Sequence, residues 1–372
     1  MTFLIVTHTP HFQVKDKLFA YGPYVKEMNL WTKHVSKVVI VAPYDTHKLP
    51  DAIFTPYAHE HLEILPIPSI SITSPLQLLK TVVFLPFIFF QLLKAMRKSD
   101  HIHLRCPGNI GLLGALAQTF FPKKPKTAKY AGNWDPKAKQ PISYQIQKWW
   151  LSNRFFSKKM HVLVYGSWPN QSQNVVSFFT ATYSQQQVPP LLKKSFKGPF
   201  RFLFVGSLSP GKRPLYAVSV VEELRNLGMD CTLDLYGEGK ERTHLENYIA
   251  KNTLGSWIQL KGNRSSNEIE EAYKNSHFLV LPSKSEGWPK VVAEAMFWGI
   301  VPMVTKISCV PWMLKEGKRG VLLEAQLESD IPRIMEVMKD EHICTEMSIE
   351  GQQWSHRYTL DTFEREIKKL LK

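Results

Sequence analysis

Short apolar runs alternate with longer segments of helical period along most of the chain. In the first half, residues 3–7, 37–42, 62–65, 100–105, 127–131 and 161–165 read as strands. Residues 23–34, 75–98, 108–121 and 142–156 between them read as helices. In the second half, strands are predicted at 200–205, 231–236, a run ending at Leu260, 277–281, 300–304 and 320–323. A helix over 214–227 closes at Gly228, one over 267–276 is capped by Ser265 or Ser266, and the chain ends in helical segments at 330–339 and 360–371. Repeated strand–helix alternation argues for α/β architecture with parallel sheets covered on both faces. The segment 184–199, with Gln185-Gln186-Gln187, Pro189-Pro190 and Lys193-Lys194, reads as the boundary between two domains.

The sharpest local pattern lies at 277–299. The run 277–281 is bounded by Pro282 and reads as a strand buried on both faces. Pro289 suits a first helical position, Val291, Val292, Ala295 and Met296 form one apolar stripe, and Gly299 falls just past the end. A strand therefore feeds a loop that feeds a helix N-terminus, where unpaired N–H groups and Lys290 favour an anion. Glu286 in the loop and Glu294 in the helix bracket this junction with acceptor-only oxygens suited to sugar hydroxyls. By spacing alone, an ordinary strand–helix corner with two surface glutamates reads as well. In a doubly wound sheet ligands bind outside the carboxyl ends of the strands, so the exits at 206–213, 237–242 and 283–290 should converge. The first of these carries Lys212 and Arg213, suited to a diphosphate, with Gly206 and Gly211 allowing close backbone approach.

Composition changes this picture only through charge. Apolar residues make up 44% of the 372 positions and charged residues 21%, as in ordinary globular proteins. Residues 1–197 hold 24 Lys and Arg against 8 Asp and Glu, whereas residues 198–372 hold 23 against 24, so the net +15 belongs to the first half. That asymmetry implies an anionic partner for it: a membrane surface, an acidic acceptor or nucleic acid. The apolar helix at 75–98 is interrupted by Lys80 and reads as a core helix or an interfacial one, with Lys80, Lys94, Arg97 and Lys98 as phospholipid contacts. The cluster Lys123, Lys124, Lys126 and Lys129 adds to the surface-binding reading, against a solvated loop. Four scattered cysteines and an N-terminus that reads as a buried strand rather than a signal peptide fit a cytoplasmic protein, with peripheral contact at the cytoplasmic membrane face.

Phe204-Val205-Gly206-Ser207-Leu208-Ser209-Pro210-Gly211-Lys212, Leu235-Tyr236-Gly237-Glu238-Gly239, Lys261-Gly262-Asn263 and, above all, Glu286-Gly287-Trp288-Pro289-Lys290-Val291-Val292-Ala293-Glu294-Ala295 resemble the motif series of glycosyltransferase family 4. The match in order and spacing runs from about 200 to 325. In the first half only the strand–helix alternation and Asp100-His101-Ile102-His103 resemble the family. The resemblance implies the GT-B fold, two Rossmann-like doubly wound parallel-sheet domains facing a central cleft. It implies sugar transfer from a nucleotide donor with retention at the anomeric carbon. The expected division is a basic acceptor domain over 1–190 associated with membrane, a donor domain over 198–353, and a C-terminal helix over 354–372 packing back toward the first domain.

Carried onto this chain, the resemblance implies that Glu286 contacts donor-sugar hydroxyls while the backbone at Gly287, Trp288, Pro289 and Lys290 meets sugar and phosphate oxygens. Glu294 would hold the ribose, Lys212 would neutralise the diphosphate, and the Gly237 and Gly262–Asn263 loops would flank the base. The family usually has arginine after the glycine of the first motif; here that position is Ser207, and Arg213 is the candidate to replace its charge. Lys212, Arg213 and Glu286 are the expected catalytic groups. On the acceptor side His8, His11, Asn133 and Asp135 lie at predicted strand exits, each with a structural reading of equal weight. No metal or cofactor is expected, the nucleotide-sugar being a substrate, and no general base is assigned. Polysaccharide or glycoconjugate biosynthesis with a glycan or lipid-linked acceptor is the expected setting. Competing readings are a sugar-nucleotide epimerase or phosphorylase of the same architecture, and a basic non-enzymatic nucleic-acid binder, which lacks a recognition motif.

Overall fold

A computed structural model describes residues 1–46, 53–70 and 75–372. Two compact units divide the chain, Met1–Phe179 with Phe363–Lys372, and Thr180–Thr362. The division falls ahead of the polar, proline-containing stretch at 184–199, which belongs wholly to the second unit.

Unit one is built on a seven-stranded parallel sheet in the order β10-β9-β8-β7-β1-β4-β6, namely Val175–Phe178, Met160–Tyr165, Lys126–Tyr130, His101–Cys106, Thr2–Val6, Lys37–Pro43 and Leu62–Ile67. Its helices are α1 (Gly22–Thr32), α2 (Pro75–Lys98), α3 (Asn109–Ala117), α4 (Ile142–Ser152) and, from Phe363 onward, the last helix of the chain. Leu4, Val6, Ile102, Leu104, Val162 and Val164 share one core with Ile88, Leu92 and Met96 of α2. The predicted helix at 108–121 breaks after Ala117 into a 3-10 turn, Gln118–Phe120. The period did not reveal β2 (Phe12–Val14), β3 (Lys17–Tyr21) and β5 (Phe54–Pro56), a small antiparallel sheet, nor the edge strand β10. The segments are too short to show alternation.

Central strands read as uninterrupted apolar runs because both faces are covered, but β8 meets that demand with two lysines. Lys126 and Lys129 are buried. Lys126 donates to the Phe121 carbonyl at 2.8 Å. Lys129 donates to the Phe179 carbonyl at 2.8 Å and lies over the Phe178 and Phe363 rings. Lys124 is spent on the C-terminus of α2, donating to the carbonyls of Met96 and Arg97 at 2.8 Å each. The expected surface cluster is therefore corrected: of its four lysines only Lys123 is exposed. The side chain of Lys80 lies outside the described residues.

Unit two carries a six-stranded parallel sheet, β13-β12-β11-β14-β15-β16: Ile258–Gly262, Cys231–Tyr236, Phe200–Val205, Phe278–Leu281, Val301–Thr305 and Val321–Leu323. The helices are α5 (Pro214–Asn226), α6 (Arg242–Lys251), α7 (Ser266–Asn275), α8 (Lys290–Phe297), the short α9 (Val310–Met313), α10 (Leu327–Lys339), α11 (Glu341–Ser355) and the start of α12 (Leu360–Leu370). Ser265 caps α7 in a reciprocal box with Glu268. Lys194 caps the other end of α7 through the carbonyls of Tyr273, Lys274 and Ser276 at 3.0, 2.8 and 2.5 Å. The helix predicted at 330–339 begins three residues earlier, and α11, whose pattern is broken by polar positions, was not anticipated.

Candidate functional site

Each strand of unit two delivers its loop to the carboxyl edge of the sheet, and backbone hydrogen bonds hold the neighbouring exits together. Gly206 N–H donates to the Tyr236 carbonyl at 2.9 Å, Leu208 N–H to Glu238 at 3.0 Å, and Gly237 N–H to Gly262 at 2.9 Å. Gly237 has φ of 137°, and a Cβ there would lie 1.9 Å from the Gly206 oxygen, so only glycine lets the two exits meet. On the other side Lys284 N–H donates to the Gly211 carbonyl at 2.8 Å. The three exits at 206–213, 237–242 and 283–290 meet, and the Gly262 exit joins them, all held by main-chain contacts rather than by flexible side chains.

Across this junction the Lys212 ammonium is paired with Oε1 of Glu286. Lys212 keeps 28% side-chain exposure and Glu286 10%, so the pair is sheltered yet reachable. The Glu286 loop is pinned from below, where the Cys309 thiol and the Ser308 hydroxyl reach the Gly287 carbonyl at 3.1 and 3.3 Å. Helix α8 begins at Lys290 rather than Pro289, which serves as its N-cap without a side-chain hydrogen bond. Its first N–H groups and their partial positive charge are left for an incoming anion.

Glu294 sits one turn inside α8. Its two oxygens accept from the Thr182 hydroxyl at 2.7 Å and the Tyr273 hydroxyl at 3.0 Å. A carboxylate has about four acceptor positions, so capacity for further hydroxyls remains. Tyr273 is fully buried, and desolvation together with the Glu294 charge raises its phenol well above the ordinary value, keeping it a donor. Neither Thr182 nor Tyr273 was singled out in the sequence: a lone tyrosine on an amphipathic helix reads as core, and Thr182 is 112 residues away from its partner.

Other expected donor-side groups separate by position. Ser207 is exposed, its hydroxyl 3.2 Å from that of Ser209. Arg213 occupies the left-handed region, φ 51° and ψ 51°, at the N-cap of α5. Gly262 has φ of 71°, Asn263 is exposed, and Lys261 pairs with Asp234 at 3.4 Å. The Trp288 ring is 7% exposed and stacks on Trp354 at 5.9 Å, beside Trp312 and Tyr358. It anchors the loop to unit two's core. Pro289 is likewise buried.

The acceptor-side candidates belong to unit one. His8 is exposed just beyond β1. His11 is buried, bonded to Tyr57 Oη at 2.9 Å and to the Thr9 carbonyl at 2.8 Å, and desolvation pushes its pKa down to about 4. Asn133 and Asp135 fold the loop after β8, each accepting from a backbone N–H two residues on at 2.8 Å. His101 and His103, from the run resembling the family, are buried on Thr127 at 3.0 and 2.8 Å. A buried pair the sequence did not flag, Arg105 and Glu27 at 2.7 Å, lies at the end of β7. Among the described residues no group of three or more His, Cys, Asp or Glu is placed to hold a metal ion.

Comparisons with known proteins fall on the same region. Residues 192–354 match the family model described as Glycosyl transferases group 1, somewhat less than half of the chain. An uncharacterized glycosyltransferase of Methanocaldococcus jannaschii is 27% identical over 176 residues, 47% of this chain and 48% of its own length. The Escherichia coli UDP-Gal:alpha-D-GlcNAc-diphosphoundecaprenol alpha-1,3-galactosyltransferase is 31% identical over 148 residues, 39% of this chain and 38% of that protein. The chain thus spans half or less of the curated relatives it matches. A crystal structure of Anabaena HepE in complex with UDP and glucose superposes with a TM-score of 0.66 at 15% identity, covering 100% of this chain and 99% of that one. Two parallel-sheet α/β units with this neighbour make the fold GT-B.

Proposed function

We propose that the protein is a retaining glycosyltransferase of family 4 that moves a sugar from a nucleotide-sugar donor to a glycan or lipid-linked acceptor in polysaccharide or glycoconjugate biosynthesis. The observation that carries this reading is the Lys212–Glu286 pair, set at the convergence of four strand exits beside the uncapped N-terminus of α8. The HepE complex with UDP and glucose, and a relative named for transfer onto a diphosphoundecaprenol-linked sugar, support the donor and acceptor classes.

Breaking the sugar–phosphate bond leaves negative charge on the departing diphosphate and positive character on the ring. Lys212, Arg213 and the α8 N–H groups stabilise the first, and this electrostatic contribution grows as charge develops. Donor binding draws Lys212 from Glu286 toward phosphate, which frees the carboxylate for sugar hydroxyls. Glu294 holds the ribose. The acceptor hydroxyl attacks from the face the diphosphate leaves, with the leaving phosphate taking its proton. The positive charge that leaving-group departure requires is supplied by the protein, so the reading needs no divalent ion.

Thermal stabilisation across a panel of nucleotide sugars tests it, since a true donor raises the melting temperature by mass action. One donor family should stand out, and the Lys212→Ala protein should lose the effect. A folded Lys212→Ala enzyme with undiminished transfer would overturn the site. Product formation without any acceptor would instead indicate epimerase chemistry.

A further inference from the structure

Two helices of unit one expose apolar faces that a water-soluble surface does not need. On α2 the positions Val83, Phe87 and Phe90 lie along one stripe and are 66%, 46% and 66% exposed. The stripe continues on the same face, at helical spacing, into the exposed cations Lys94 and Arg97. On α4, Ile142, Ile146 and Trp149 repeat the pattern at 75%, 45% and 56% exposure. The 3-10 turn Gln118–Phe120 bridges the two helices through their partly buried residues Phe89 and Trp150. Phe120, 67% exposed, packs against Phe89 of α2 at 6.2 Å between ring centroids, and its neighbour Thr119 accepts from Trp150 of α4 at 3.1 Å. Phe155, 72% exposed just past α4, carries the Lys158 ammonium 5.5 Å above its ring. Exposed aromatic surface on two helices bridged by one turn marks an interaction site.

We propose that the exposed faces of α2 and α4, bridged by the turn that carries Phe120, form a docking surface for an anionic lipid bilayer. Charge selects this occupant. Among the described side chains between residues 64 and 179, nine Lys and Arg are exposed against one exposed acidic residue, Asp100. A second copy of the chain would bring like charge to the same face, whereas phosphate headgroups complement it. The aromatic part enters the headgroup and upper acyl region, while Lys94 and Arg97 extend along the helix to the phosphates. Insertion is shallow: among the described residues no helix is long and apolar enough to cross a membrane. The surface lies wholly in unit one and does not depend on the transfer reading.

Co-sedimentation of the full chain with phosphatidylcholine vesicles, with and without phosphatidylglycerol, tests the proposal. Wild-type protein should partition onto the anionic vesicles and be released by added salt. Phe87→Ser with Phe90→Ser should weaken partitioning by about tenfold or more. Lys94→Gln with Arg97→Gln should weaken it roughly twenty-fivefold, about fivefold per cation. These exposed substitutions should leave the melting temperature and its nucleotide-sugar response unchanged, so lost partitioning cannot be ascribed to unfolding or to a damaged donor site. Equal binding to uncharged vesicles, or wild-type partitioning by the serine variant, would overturn the assignment. So would a dimer in sedimentation velocity that the serine variant dissolves, without vesicle binding by the wild type.

Discussion

Lys212 and Glu286, separated by 74 positions in the chain, form an ion pair across the junction of the β11 and β14 exits. Each neutralises the other until a charged ligand competes. Replacing Glu286 with Gln should therefore keep the fold, abolish transfer and leave nucleoside diphosphate binding intact or several-fold tighter, because Lys212 no longer has an internal partner. Lys212→Ala should lose diphosphate affinity by about a hundredfold, as expected for a charge-assisted contact of roughly 3 kcal/mol. Titration calorimetry of both variants with UDP and with the donor separates the two roles.

Tyr273 and Thr182 orient Glu294 from two sides. Removing the phenol in Tyr273→Phe should raise the donor KM several-fold with little change in kcat, at a stability cost of about 1 kcal/mol. The 2′-deoxy donor supplies the control. Wild-type enzyme should discriminate against it, and Glu294→Ala should not; equal discrimination by that variant would remove Glu294 from the ribose.

Arg213 pays for its place with a left-handed backbone at φ 51°. Arg213→Gly removes that strain and should stabilise unit two by up to about 1 kcal/mol. The same change deletes a cation beside the diphosphate position and should weaken donor binding. Opposite signs in thermal melts and donor titrations would be hard to explain by general damage.

His11 and His101 are buried in unit one, with desolvation pushing both pKa values down to about 4. The unfolded chain therefore binds more protons than the folded one between about 4 and the ordinary histidine value near 6.5. Stability should be level above that value and fall as pH drops through the window. Melting temperatures from pH 7.5 to 4 measure it, and His101→Gln should flatten part of the slope.

Lys194 holds the C-terminal carbonyls of α7. Lys194→Met should cost about 2 kcal/mol, the loss of charged hydrogen bonds at a helix end, read as a lower urea midpoint with an unchanged slope.

Local pattern was enough to anticipate the parallel strand–helix alternation, the glycines at the strand exits and the Glu286–Glu294 motif, because periodicity, caps and turn residues act within a few positions. Packing decided the rest. Lys123, Lys124, Lys126 and Lys129 are alike in sequence, yet three are drawn onto backbone carbonyls or aromatic faces and one stays in water. Trp288 lies amid the motif but turns inward, since an aromatic cluster from Trp312, Trp354 and Tyr358 offers its ring more buried contact than the loop surface does. The partners of Glu294 and the bridging of α2 and α4 by the 118–120 turn depend on segments far apart in the chain. Such contacts have no local signature, and only the tertiary fold, by choosing which distant surfaces meet, could decide them.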